Sequence, residues 1–62
     1  MGIERFESMD VNILLSIVNM KLRDDFSDLD SLVRFYDINK EQLIKRLFDA
    51  GFEYMDDLNQ FR

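Results

Sequence analysis

The stretch Asp10-Val11-Asn12-Ile13-Leu14-Leu15-Ser16-Ile17-Val18-Asn19-Met20-Lys21-Leu22-Arg23-Asp24 decides how this chain folds. Eight of the twelve side chains from Val11 to Leu22 are apolar, more than the single stripe an ordinary surface helix carries. At roughly 100° per residue, the polar Asn12, Ser16, Asn19 and Arg23 fall into one thin line. Ile13, Ile17 and Met20 lie on one side of that line, and Val11, Leu15, Val18 and Leu22 on the other. One flank is enough to pack on the core of so short a chain, so the other asks for a partner. Asp10 is suited to cap the helix, and Met9 before it to close a hydrophobic staple on Leu14 at the fourth helical position.

Working outward, Ser27 is expected to cap a second helix, with Asp28 and Asp30 in its first turn. Its buried face is Leu29, Leu32, Val33 and Tyr36, at i, i+3, i+4 and i+7. Asp37-Ile38 breaks that pattern, and Asn39 caps a third helix with Gln42 at the capping-box position. Leu43, Ile44, Leu47 and Phe48 form its apolar stripe, and Gly51 is placed to end it in a left-handed conformation. After Gly51 the period changes. Phe52-Glu53-Tyr54 alternates apolar and polar, Asp56-Asp57-Leu58-Asn59 has turn chemistry, and Gln60-Phe61-Arg62 returns as a second strand. A loop over Asp56–Asn59 sets Phe61 opposite Tyr54, an aromatic cross-strand pair worth up to about 1 kcal/mol.

The fold class is therefore mainly α: a three-helix domain with a helix-turn-helix-like pair and a short C-terminal β-hairpin. Residues 9–62 form a single small domain, and residues 1–8 a loosely ordered lead-in offering Ile3 and Phe6 as satellite core contacts. The expected core is Ile13, Leu14, Ile17, Val18, Leu29, Leu32, Val33, Tyr36, Ile38, Leu43, Ile44, Leu47, Phe48, Phe52, Tyr54 and Phe61.

Sixty-two residues bury only about 60% of their unfolded surface, so a domain this small is marginal unless reinforced. There is no Cys for a disulfide and no His or Cys for a typical zinc site. Oligomerisation is the common device that remains. Absence of Cys fits a reducing cytoplasm, and the apolar run, interrupted by Asn12, Ser16, Asn19 and Lys21, is too short to span a bilayer. Glu4 and Glu7 against Arg5 do not make the basic lead-in of a secretory signal.

Chemistry finds little footing. Ser16 has no base spaced to reach it, Gly2 and Gly51 are the only glycines, so no phosphate loop exists, and no enzyme is expected. Counted from Asp28, the sixth and twelfth positions of a calcium loop would be Val33 and Asn39 instead of Gly and Glu, so that pattern fails. No cofactor is expected. The second and third helices could present Lys40, Gln42, Lys45 and Arg46 to duplex DNA, as a winged helix does. Glu41, Asp49, Asp56 and Asp57 interrupt that surface, and the net charge of −5 repels nucleic acid at long range. The preferred function is a non-enzymatic interaction module, a homodimer or a binder of another protein, meeting its partner through Val11, Leu15, Val18 and Leu22. The opposite flank, Ile13, Ile17 and Met20, is able to exchange roles with it.

Leu14-Leu15-Ser16-Ile17-Val18-Asn19-Met20-Lys21-Leu22-Arg23-Asp24 resembles the opening of a family of short bacterial proteins catalogued only as a domain of unknown function. The likeness continues through Ser27-Asp28-Leu29-Asp30-Ser31-Leu32, Asp37-Ile38-Asn39, Gly51-Phe52-Glu53-Tyr54 and Asn59-Gln60-Phe61-Arg62. In that family a Pro usually follows the capping Asp, where this chain has Val11; Pro is merely well suited to the first helical position. The resemblance implies a shared fold and a bacterial source, and carries no site with it.

Overall fold

A computed structural model describes residues 5–62. Asp10 caps the first helix as its chemistry predicts, its carboxylate accepting from the backbone N–H groups of Asn12 and Ile13 at 2.9 and 3.2 Å. Helix α1 runs Val11–Asp24, α2 Leu29–Tyr36 and α3 Lys40–Phe48, followed by strands β1 Tyr54–Met55 and β2 Gln60–Phe61. The strands pair antiparallel with Tyr54 opposite Phe61 and Met55 opposite Gln60, the register expected from the Asp56–Asn59 loop.

The cap of α2 is Asp28, one residue beyond the Ser27 expected from sequence. Its carboxylate accepts from Ser31 N–H at 2.7 Å, and an ionised acceptor makes the stronger bond to a helix N-terminus. Asn39 caps α3 through Gln42 N–H at 3.0 Å. Helices α2 and α3 end alike. Asp37 (φ 54°) and Gly51 (φ 95°) take left-handed backbone, and the following residues, Ile38 and Phe52, donate back to Val33 and Leu47 at 3.0 and 2.9 Å. This is the Schellman closure, which satisfies carbonyls a helix end would otherwise leave open.

Helices α2 and α3 and the hairpin all pack against α1. The buried core is Phe6, Leu14, Val18, Leu22, Leu29, Leu32, Val33, Leu43, Leu47 and Phe61. Phe6, expected as a satellite contact, is buried in a short 3-10 turn, Phe6–Ser8, so ordered packing begins before Met9; Ile3 lies outside the described residues. Ile13 and Phe48, expected in the core, are 52% and 57% exposed, because their helices turn other faces inward. Val18 is buried as the expected core has it, and with Leu22 also buried and Val11 and Leu15 packed against the same core, that flank is not left for a partner. The reason is that every other element stacks on the Val18 and Leu22 side of α1, leaving Ile13 and Met20 outside.

Two outcomes follow from the caps. Asp37 holds a conformation that disfavours a Cβ, so Asp37→Gly should stabilise the fold by about 0.5–1 kcal/mol, read as a rise in thermal midpoint of a few degrees. The Asp28 carboxyl is held below its ordinary value, first by the Ser31 backbone N–H and then by the Ser31 side chain. A group depressed on folding adds stability above its unfolded value, near about 3.9, and loses it as pH falls through the lower folded one. Asp28→Asn, which keeps a neutral cap, should therefore flatten the acid limb of a stability–pH profile while leaving neutral pH nearly unchanged.

Candidate functional site

The polar line on α1 is only partly a solvent face. Asn19, at the edge of that line nearest Leu15, turns its amide to the backbone of Phe61. Phe61 N–H donates to Asn19 Oδ1 at 2.8 Å, and Asn19 Nδ2 donates to the Phe61 carbonyl at 3.0 Å. A carboxamide carries the same donor and acceptor as a peptide group, so Asn19 pairs with β2 as one residue of a third strand would.

Asn59 makes the second tie. It sits at φ 51°, a left-handed position that Asn tolerates better than most residues. Its Nδ2 donates to the carbonyls of Leu22 and Phe26 at 2.9 and 3.0 Å, and its Oδ1 accepts from Tyr54 Oη at 2.6 Å. The hairpin turn thus closes the C-terminal end of α1, where carbonyls lack helical partners. Burial, opposed by a hydrogen bond involving Leu29, pushes the Tyr54 phenol above its ordinary value. From sequence alone Asn59 reads as a turn residue and Asn19 as one member of the thin polar line on α1.

Residues 8–61 match the family described as a domain of unknown function, DUF4250. The chain belongs to this family. No curated protein and no solved structure shows a significant match. In this DUF4250 domain, Asn19 and Asn59 both lie inside the matched span, and both serve the fold.

What remains outward on α1 is the flank first assigned to the core. Met20 is 46% exposed, Ile13 more so, and Ile17 lies between them half-buried. Beside Met20 an open groove of ≈ 650 Å³ separates α1 from the hairpin turn, with Ser16 and Arg23 on one wall and Leu58 and Gln60 on the other. Arg23 is held there by Asp24, through bonds of 3.0 and 3.1 Å. A second exposed group is aromatic: Phe35 packs 4.9 Å from Tyr36 and 5.5 Å from Phe26, ring centre to ring centre, and Lys21 stands 5.2 Å over Tyr36.

The side chains proposed from sequence to meet DNA are largely engaged elsewhere. Lys40 bonds Asp30 at 2.7 Å and Lys45 bonds Asp49 at 3.3 Å. Arg46 is half-buried and donates from Nη2 to the Met9 carbonyl at 2.7 Å, while its buried Nε has no partner among the described residues. Gln42 alone of the four stands exposed with no side-chain bond among the described residues. Among the described residues, no three acidic side chains converge where they could hold a metal ion, and no helix is long and apolar enough to cross a membrane.

The Asn19 contact gives a direct test. Asn19→Ala leaves the Phe61 N–H and carbonyl part-buried and unpaired, and each such group costs about 1–3 kcal/mol. Urea unfolding should register a loss of about 2 kcal/mol or more, with Asn19→Asp no better because it cannot donate to the carbonyl. Ser16→Ala, on the same polar line but exposed, should stay within about 0.5 kcal/mol of wild type.

Proposed function

We propose that this domain is a non-enzymatic protein-interaction module that pairs with a second copy of itself through Ile13, Ile17 and Met20. One observation carries the reading: the outward flank of α1 is apolar at Ile13 and Met20 although its inward flank already closes the core. A two-fold axis lets one patch cover its own copy. An antiparallel arrangement about the helix midpoint sets Ile13 against the other copy's Met20, and brings the Asp10 end of one helix beside the Lys21 and Arg23 end of the other.

Size sets the strength expected. A standard interface takes about 800 Å² from each partner, whereas the chain's whole surface is 4246 Å². One face of a 14-residue helix, about 21 Å long, offers less than that. The pair therefore belongs among weak, micromolar associations. The engagement of Lys40, Lys45 and Arg46 within the domain, and the charge of −5, support a protein partner over duplex DNA.

Sedimentation equilibrium across micromolar concentrations tests it. The mass should rise from 7.5 kDa toward twice that value, and Ile13→Glu with Met20→Glu should return it to the monomer without loss of helicity. A mass of 7.5 kDa at every concentration would overturn the pairing, and tight, salt-sensitive binding of generic duplex DNA would put the winged-helix reading in its place.

A further inference from the structure

Backbone hydrogen bonds in the hairpin expose a strand edge on the side away from α1. Glu53 and Arg62 exchange both N–H···O bonds at 2.9 Å. In an antiparallel ladder the next pair, Tyr54 and Phe61, then faces its N–H and carbonyl groups outward. On the β2 side Asn19 takes both of Phe61's groups. On the β1 side no side chain among the described residues does the same for Tyr54.

A cleft of ≈ 410 Å³ runs along that open edge, between Lys40, Ile44 and Phe48 of α3 and Glu53, Tyr54 and Asp56 of the hairpin. No residue of β2 lines it. Phe48, 57% exposed, gives it an apolar wall, with Ile44 half-buried behind. An open strand edge beside an apolar cleft is the arrangement by which an extended peptide adds itself to a sheet, its backbone bonding the edge and alternate side chains filling the cleft.

Charge selects the occupant. Glu53, Asp56 and Asp57 are exposed, and none of the three is in an ion pair among the described residues, while the Lys40 ammonium is held by Asp30. Two copies meeting edge to edge would set these acids against like charges, which destabilises a strand pair. Acids on an edge strand are a usual guard against self-pairing.

We propose that the β1 edge and its cleft dock an extended basic segment of a partner protein, with an apolar side chain against Ile44 and Phe48 and Lys or Arg beside Glu53 and Asp56. This surface is separate from the α1 flank, so it stands or falls independently of the homodimer.

The probe is a capped heptapeptide alternating Val or Leu with Lys or Arg, titrated into the isotopically labelled full chain and followed by amide shifts. Saturable shifts centred on Tyr54, Met55 and Phe48 are expected. Phe48→Asp and the double variant Glu53→Lys with Asp56→Lys, all at exposed positions, should each weaken binding by about tenfold or more, the scale for a lost anchor. A peptide N-methylated at its central residue, unable to donate to the Tyr54 carbonyl, should lose binding to a similar degree. Absence of shifts at these amides up to millimolar peptide would overturn the proposal. So would binding indifferent to Phe48→Asp and to N-methylation, because that marks diffuse attraction to an acidic surface.

Discussion

The pair of hydrogen bonds between the Asn19 carboxamide and the backbone of Phe61 holds the C-terminal hairpin in place. Two strands of two residues each do not persist alone in water. They persist here because β2 has a partner on each side: β1 along one edge and a side-chain amide along the other. With β2 fixed to α1, the Phe61 ring enters the core, 2% exposed, and stacks at a tilt on Tyr54 with ring centres 5.3 Å apart. The aromatic pair and the amide clamp reinforce each other, since the clamp sets the strand's distance from the helix and the buried ring keeps water from competing for it.

Asn59 completes the attachment at the other end of the hairpin. By closing the Leu22 carbonyl of α1 and the Phe26 carbonyl just beyond it, and receiving the Tyr54 hydroxyl, it makes one turn serve as both a strand connection and a helix cap. A chain of this size lacks the core to be secure on hydrophobic burial alone, and it has no cysteines. Polar side chains that tie separate elements together, Asn19 and Asn59 to the hairpin and Arg46 to the Met9 carbonyl, take the place that disulfides occupy in many small domains.

Local chemistry was legible in the sequence and tertiary choice was not. Asp10, Asn39 and Gly51 announce helix ends because capping depends on one residue and its neighbours within a turn. The Tyr54 and Phe61 register follows from the loop length, which fixes strand pairing. The flank of α1 that faces inward could not be read, because both flanks are apolar and periodicity treats them alike. Asn19 breaks the tie: it borders the Leu15 and Leu22 side of the polar line, so committing its amide to β2 draws the hairpin over that side and leaves Ile13 and Met20 out. Phe6 is legible as an apolar contact, but a lone aromatic in a segment without periodicity gives no sign that its burial orders the turn around it.

This division between local and tertiary information bears on what family membership conveys. Two of the stretches of resemblance, Leu14–Asp24 and Asn59–Arg62, contain both halves of the clamp, Asn19 and Phe61, and the pair Asn59 and Leu22 at the end of α1. Polar residues in a small domain invite a reading as binding groups, yet these are consumed by backbone partners and have little left to offer a ligand. Within the matched span of this chain they amount to a way of fastening a hairpin to a helix. The proposed contacts therefore draw on side chains the fastening leaves free: Ile13 and Met20 on one side of the molecule, and Phe48 with the acids of the hairpin along another element. These positions are exposed and make no tie in the clamp, so the fold constrains them least.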